Sequence, residues 1–348
     1  MTDGPSFTML TCAYGAEKVV KENMAADGWR LAFSRPGFVT AKHDERMPPP
    51  KGVFVRTAAT TIGQARGGEA AKLLAELTKQ LGESEFAGRK FDHLHVWPKD
   101  RAAIGRFGFE PEIDEVSRAV GEEVYANLKT DWISCDRPNR IAERNDTILD
   151  VVVVDPSHWF FGWHRATGCH SRWPGGIQPI DPTYEPVSRA YYKAAESIVW
   201  SGFEMKPDDL VVDVGSAPGG ASGRLLELGF RVMGIDPAEM DERIANHPKF
   251  RHVRARAGDL PRKDFRGAKW MLVDSNVTPD KTLVTVENIV TNQHSNLKGL
   301  ILTLKIGDYK YAYLVDNWIR RAKSWGARDV KVRQLARNRC EVCVAVTM

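Results

Sequence analysis

Cysteine is scarce in this chain. Five are scattered over 348 residues, which excludes a disulfide-stapled secreted scaffold and makes a reducing cytoplasm the expected compartment. No apolar run approaches the roughly 20 residues that a membrane helix needs. The start, "MTDGPSFTML", has no basic segment followed by an apolar one, so no signal peptide is expected. There is no internal repeat and no long low-complexity tract, so nothing points to a repeat architecture. What remains is a soluble globular composition, 43% hydrophobic and 27% charged, long enough for two or three domains.

The net charge of +4 is unevenly spread. Residues 1–155 hold 21 basic and 24 acidic side chains, the remainder 28 and 21. The last 48 residues hold 10 basic and 4 acidic ones. A basic C-terminal half is what either a polyanionic partner or ordinary surface charge would give.

The texture changes along the chain. A small α/β pattern comes first: strand "FTMLTC", a helix from Glu17 to Met24, and extended "WRLAFSRPGFVTAKH" broken at Pro36-Gly37. "RMPPPKG" then interrupts regular structure. A second unit reads as strand "VFVRTA", helix "EAAKLLAELTKQL" with Ala70, Leu73, Leu74, Leu77 and Leu81 on one face, strand "FDHLHVWP", and, after a polar stretch, the buried strand "TILDVVVVD". Residues 156–187 are dense in Trp, Gly and Pro with little periodicity, and read as an ordered linker or binding loop. His158, His164 and His170 fall there among aromatic neighbours, where structural or stacking roles are expected. From 188 to 348, strands "LVVDVG", "RVMGID", "RHVRA", "WMLVD" and "GLILTLKI" alternate with helices, the signature of a parallel doubly wound sheet. "VKVRQL" and "EVCVAV" follow closely, and one of them is expected to run antiparallel.

Candidate chemistry sits at the strand ends. "VVDVGSAPGG" carries a strand into a turn of small residues, Gly215 to Gly220. The turn has neither the Gly-x-Gly-x-x-Gly spacing of a dinucleotide site nor the Lys-Ser/Thr of a phosphate loop. It suits a carboxylate or a sulfonium better than a pyrophosphate. Asp236 closes the next strand, placed to accept from ribose hydroxyls. Asp259 follows the third strand, placed to accept from an adenine amino group. Lys193 lies on the helix entering this region. Asp274 ends strand four, Lys305 ends strand five and Glu341 opens the last strand. Desolvation and a neighbouring Lys193 are expected to lower the Lys305 pKa and make it a usable base. "CEVC" has metal-like spacing, but residues i and i+3 of a strand face opposite ways and no second pair exists, so no zinc is expected.

"SRAYYK", "DVGSAPGGAS", "WMLVD", "LTLK" and "RCEV" together resemble the FtsJ-like ribose 2′-O-methyltransferases. "SRWPGGIQPI…PVSRAYYK" is similar, more narrowly, to the bacterial large-subunit (23S) rRNA cytidine 2′-O-methyltransferases. The resemblance spans about Arg172 to Met348. Two departures stand out: Ala-Ser follows the glycine turn where an aromatic is common, and "VDSNVTPD" replaces Asp-Met after strand four.

The resemblance implies a Rossmann-like class I methyltransferase sheet over 188–348. It is preceded by a ferredoxin-like unit over 1–48, a THUMP-like RNA-binding domain over 50–155 and the linker. It implies a Lys193, Asp274, Lys305, Glu341 catalytic tetrad and S-adenosylmethionine held by Ser188, Asp213, Gly215, Ala217, Pro218, Gly219, Gly220, Asp236, Asp259 and Asp274. The implied partner is 23S rRNA or its precursor, with no metal and no membrane. Rival readings are a catalytically idle RNA-binding protein that keeps the fold and an NAD-dependent oxidoreductase.

Overall fold

The computed structural model describes residues 5–292 and 295–348. The chain forms two compact units, Met1–Pro179 and Ile180–Met348.

The first unit is built on one seven-stranded sheet. Its elements are β1 (Ser6–Thr11), α1 (Glu17–Ala26), β2 (Arg30–Arg35), β3 (Phe38–His43), β4 (Thr57–Arg66), α2 (Ala70–Glu83), β5 (His93–Pro98), α3 (Glu115–Leu128), β6 (Thr147–Asp155) and β7 (His158–Arg165). The sheet order is β2-β3-β1-β4-β7-β6-β5, antiparallel throughout except for the parallel pair β5 and β6. Three sequence expectations change here. The parts expected as separate units over 1–48 and 50–155 share this sheet, because β1 pairs with β4 from Thr8↔Thr60 to Thr11↔Thr57. The strand expected at "VFVRTA" starts only at Thr57 and runs on to Arg66. The first part of the expected linker is β7, a strand inside the sheet.

The reason β7 escapes a period-2 reading is that both of its faces are covered. Trp159 and Phe161 join Leu73, Leu77 and Leu81 of α2 and Val120, Val124 and Leu128 of α3 in one core. Phe160 joins Met9, Phe38 and Val152 in another. The helix α3 was not anticipated, yet its signals are local. Asp114 caps it by accepting from the Ser117 amide at 2.8 Å, and Val120, Val124 and Leu128 repeat every four residues.

The second unit comprises α4 (Ala190–Ser201), β8 (Leu210–Val214), α5 (Gly220–Glu227), β9 (Arg231–Ile235), α6 (Glu242–Ala245), β10 (Phe250–Val253), β11 (Trp270–Val273), α7 (Pro279–Val290), β12 (Gly299–Lys305), α8 (Val315–Lys323), β13 (Asp329–Arg333) and β14 (Glu341–Thr347). The sheet order is β10-β9-β8-β11-β12-β14-β13. The first five strands of that order are parallel. As expected, one late strand is reversed: β14 lies antiparallel between β12 and β13. α4 packs on α5, and α7 on α8. The chain departs in one direction from β8 to β9 and returns on the other side as β11. The carboxyl ends of β8 and β11 therefore flank the switch point, where an open α/β sheet leaves a crevice.

Candidate active site

The turn after β8 runs against the end of β11. At Gly215 φ is +82°, and a Cβ there would lie 2.5 Å from the Asp274 carbonyl oxygen, so only glycine lets the two strand ends approach. Beyond it opens a cavity of about 640 Å³. Of the residues expected to hold a cofactor, Gly215, Ala217, Asp236, Asp259 and Asp274 line it. The Asp236 carboxylate is aimed by two backbone amides, Ala217 N–H at 3.3 Å and Ala238 N–H at 2.8 Å.

Ser188, Asp213, Pro218, Gly219 and Gly220 do not line the cavity wall. Gly220 instead makes room within the protein, since a Cβ there would sit 2.2 Å from Ser188 Oγ. Asp213 is buried behind the turn and accepts from Ser222 Oγ at 2.6 Å. Burial pushes its carboxyl up to about 7. Sequence reasoning missed Asn276, Lys281 and Thr285, which also line the cavity. The one sequence signal for them is "SNVTPD", which starts α7 directly after Asp274.

Beside this cavity four charged side chains from four elements close into a ring. Lys193 stands in the first turn of α4, Asp274 directly follows β11, Lys305 is the last residue of β12 and Glu341 the first of β14. Lys305 and Glu341 are direct cross-strand partners in the β12–β14 ladder, which puts their side chains within reach. Lys193 Nζ lies 2.6 Å from Asp274 Oδ2 and 2.8 Å from Glu341 Oε2. Lys305 Nζ lies 3.1 Å from Asp274 Oδ1 and 3.2 Å from Glu341 Oε1. Each carboxylate thus bridges both ammonium groups, and the set is neutral overall, which makes its burial tolerable.

The electrostatics correct one expectation. Burial pulls the Lys305 pKa down, but Asp274 and Glu341 outweigh it, and the pKa is raised above the ordinary lysine value. The expectation of a lowered value weighed desolvation and a neighbouring Lys193. In the structure the carboxylates stand between the two lysines. The Asp274 carboxyl resists the upward push of its own burial, because Lys193 and Lys305 together hold it below the usual range.

Cys340 and Cys343 flank Glu341, and burial raises both thiols, that of Cys340 to about 12. Among the described residues no group of His, Cys, Asp or Glu has the geometry of a metal site. His158 and His164 lie in β7 rather than in a loop. His164 Nδ1 pairs with the buried Asp150 carboxylate and its Nε2 meets the Ser171 carbonyl at 2.7 Å.

The strand order and the switch-point cavity define the second unit as a Rossmann-like class I methyltransferase sheet. Residues 186–293 match the FtsJ-like methyltransferase family model, so this unit carries an FtsJ-like methyltransferase domain. A protein of Halorhodospira halophila named ribosomal RNA large subunit methyltransferase M is 28% identical over 265 residues, covering 72% of this chain and 71% of that one. A protein of the same name from Azoarcus sp. is 26% identical over 187 residues, 51% of this chain and 50% of that one. The matched stretch thus spans about half the length of several such relatives. The solved fibrillarin pre-rRNA processing protein of Methanococcus jannaschii is 10% identical, with a TM-score of 0.37 over 62% of this chain and 98% of that one. At that score the likeness bears no weight, and the fold rests on the strand order itself.

Proposed function

We propose that this protein is an S-adenosylmethionine-dependent 2′-O-ribose methyltransferase acting on large-subunit rRNA, with a cytidine as the target. The carrying observation is the closed Lys193–Asp274–Lys305–Glu341 ring beside the cavity at the β8–β11 switch point. The cavity fits the cofactor's chemistry. Asp236 and Asp259 face it as acceptors for sugar hydroxyls and an amino group, beside Asp274, which the two ring lysines neutralise. Asp236 would hold the ribose and Asp259 the adenine edge. When bound, S-adenosylmethionine supplies an activated methyl group on a sulfonium.

Lys305 is the more open of the two lysines, its side chain 27% exposed against 11% for Lys193. Two of its N–H bonds go to Asp274 and Glu341. A neutral amine holding those two bonds keeps its lone pair in the remaining direction, toward solvent, where a 2′-hydroxyl can deliver its proton. Lys193, held by the same carboxylates, adds positive charge beside the developing alkoxide. Asp274 and Glu341 fix both ammonium groups, so positioning carries most of the work.

We further read the first unit as ferredoxin-like and THUMP-like RNA-gripping structure. Its surplus of acidic over basic residues through 155 leaves most phosphate contacts to the second unit. No described helix is long and apolar enough to cross a membrane, and we place the protein in the cytoplasm on the nature of its substrate.

The test is transfer of labelled methyl from S-adenosylmethionine to 23S rRNA isolated from a strain deleted for this gene. The 2′-O-methyl position is then mapped. One new 2′-O-methylcytidine supports the reading. Labelling on a base, or none with protein that binds both ligands, overturns it.

A further inference from the structure

The chain immediately after Lys305 is held down at both ends and leaves two large aromatics in solvent. Ile306 and Gly307 amides both donate to the Cys340 carbonyl, at 3.0 and 3.2 Å, next to Glu341. Asp308 accepts from the Lys310 amide at 2.9 Å and starts a short 3₁₀ turn, Tyr309–Leu314. The Tyr309 hydroxyl accepts from the buried Gln334 amide at 2.8 Å. At the other end Val315 is buried and opens α8. Between these anchors Tyr311 is 42% and Tyr313 69% exposed. Lys310 Nζ stands 5.0 Å from the Tyr311 ring centroid. An aromatic left in water forfeits the burial energy for which such residues ordinarily serve. Here two do so within one pinned turn, six and eight residues beyond the ring's most open lysine and at the same carboxyl edge of the sheet. The surroundings are basic: residues 305–339 hold ten Lys and Arg against three Asp.

We propose that Tyr311 and Tyr313, with Lys310, form a stacking platform for unpaired bases beside the target nucleotide. The substrate is then a single-stranded segment or loop of RNA rather than a continuous duplex. Every base offers a π-face once it is unpaired, and a lysine beside the rings meets the backbone phosphate. The inference rests on the RNA methyltransferase reading above. Its position follows from that chemistry: a ribose presented to Lys305 brings the neighbouring bases to this turn. The turn's ties to Cys340 and Gln334 couple the platform to the loop that delivers Glu341, so it is preorganised rather than recruited.

The test uses the full chain with a single-stranded cytidine-containing oligoribonucleotide, the same strand annealed to its complement, and an rRNA transcript. Tyr313→Leu and Tyr311→Leu should each weaken filter binding of the single strand by about 10- to 100-fold, the range for loss of one stacked base. Tyr313→Phe should stay within a factor of about two, since stacking needs the ring and not the hydroxyl. In methyl transfer to the transcript, KM for RNA should rise while kcat at saturating RNA and S-adenosylmethionine affinity hold. Unchanged single-strand affinity in the Leu variants overturns the platform. So does a Phe variant as weak as the Leu variant, or equal losses for single strand and duplex. Filter binding needs no catalysis, so a platform that binds RNA in a protein that transfers no methyl would fault the enzymatic reading and leave the platform standing.

Discussion

Arg56 and Asp100 in the first unit meet in a bidentate pair, both contacts at 2.6 Å, with side chains 6% and 3% exposed. The second unit gathers twice as many charges in the Lys193–Asp274–Lys305–Glu341 ring, yet leaves two of them, Lys305 and Asp274, partly open at 27% and 20% exposed. The first arrangement joins the start of β4 to the residues just beyond β5, two strands set apart in the sheet order. It has the planar fork geometry that makes arginine the choice for a dry clamp. The second uses lysines, whose single nitrogen can share two carboxylates and still present a third direction. One ionic group is buried on all sides and structural. The other is balanced in charge, open on one side, and fit to exchange a proton.

Breaking this contrast starts with the largest effect. Lys305→Ala should slow single-turnover methyl transfer by about 10²–10⁴-fold while S-adenosylmethionine binding, measured by calorimetry, survives. Lys305→Arg should not restore the rate, because a guanidinium keeps its proton at neutral pH. A Lys305→Ala protein at near wild-type rate would remove Lys305 from the chemistry.

Asp100→Ala should do the opposite. It removes the bidentate carboxylate from a buried guanidinium and should cost about 3–5 kcal/mol of stability, read as a lowered midpoint in denaturant, with the rate below that midpoint unaffected. Loss of rate without loss of stability would erase the distinction between the two ionic groups.

The raised Lys305 pKa sets a pH profile. The base must be neutral to accept a proton, so the rate of the chemical step should climb about tenfold per pH unit from neutrality upward, until Lys305 titrates. Asp274→Asn removes one of the two carboxylates that raise it, and the limb should move to lower pH. A flat profile in single-turnover measurements would mean that Lys305 does not surrender its proton in the step observed.

A smaller effect is expected in the cavity lining, where Asp236→Ala should weaken S-adenosylmethionine binding by about 1–3 kcal/mol. Calorimetry showing unaltered affinity would move the ribose elsewhere.

A separate pH effect on stability concerns Asp213. Its folded pKa of about 7 lies above the unfolded carboxylate value, so the folded state binds the proton more tightly. The associated stability is present in full below the unfolded pKa and is lost as pH rises through about 7. Asp213→Asn should flatten the fall of the unfolding midpoint between about pH 4 and 7. An unchanged slope would show that Asp213 stays ionised when folded.

Much of the second unit was legible from its residues. Its central strands β8, β11 and β12 are short apolar runs buried on both faces, so local composition marks them. The glycine turn, Asp236, Asp259 and the four ring residues all fall at strand ends or on the entering helix, places that the alternation alone locates. The first unit was harder to read. "WFFGWH" in β7 lacks alternation because both faces of its sheet are covered, and the pairing of β1 with β4 depends on strands 46 or more residues apart.

Tertiary structure alone decided three further matters. The protonation bias of Lys305 depends on which partner comes nearest: Lys193 is 112 residues away in sequence, but both carboxylates lie between the two ammonium groups. The division of the glycine turn is likewise spatial. Gly215 faces the cavity while Gly220 faces Ser188, a difference set by which backbone lies opposite each Cα. Exposure of Tyr311 and Tyr313 is also a property of the packed chain, since hydrophobic pattern assigns aromatics to a core and only the anchored turn after Lys305 holds them out of one. Sequence determined which side chains stand at the strand ends; packing determined their distances and surrounding dielectric, and through these their charge.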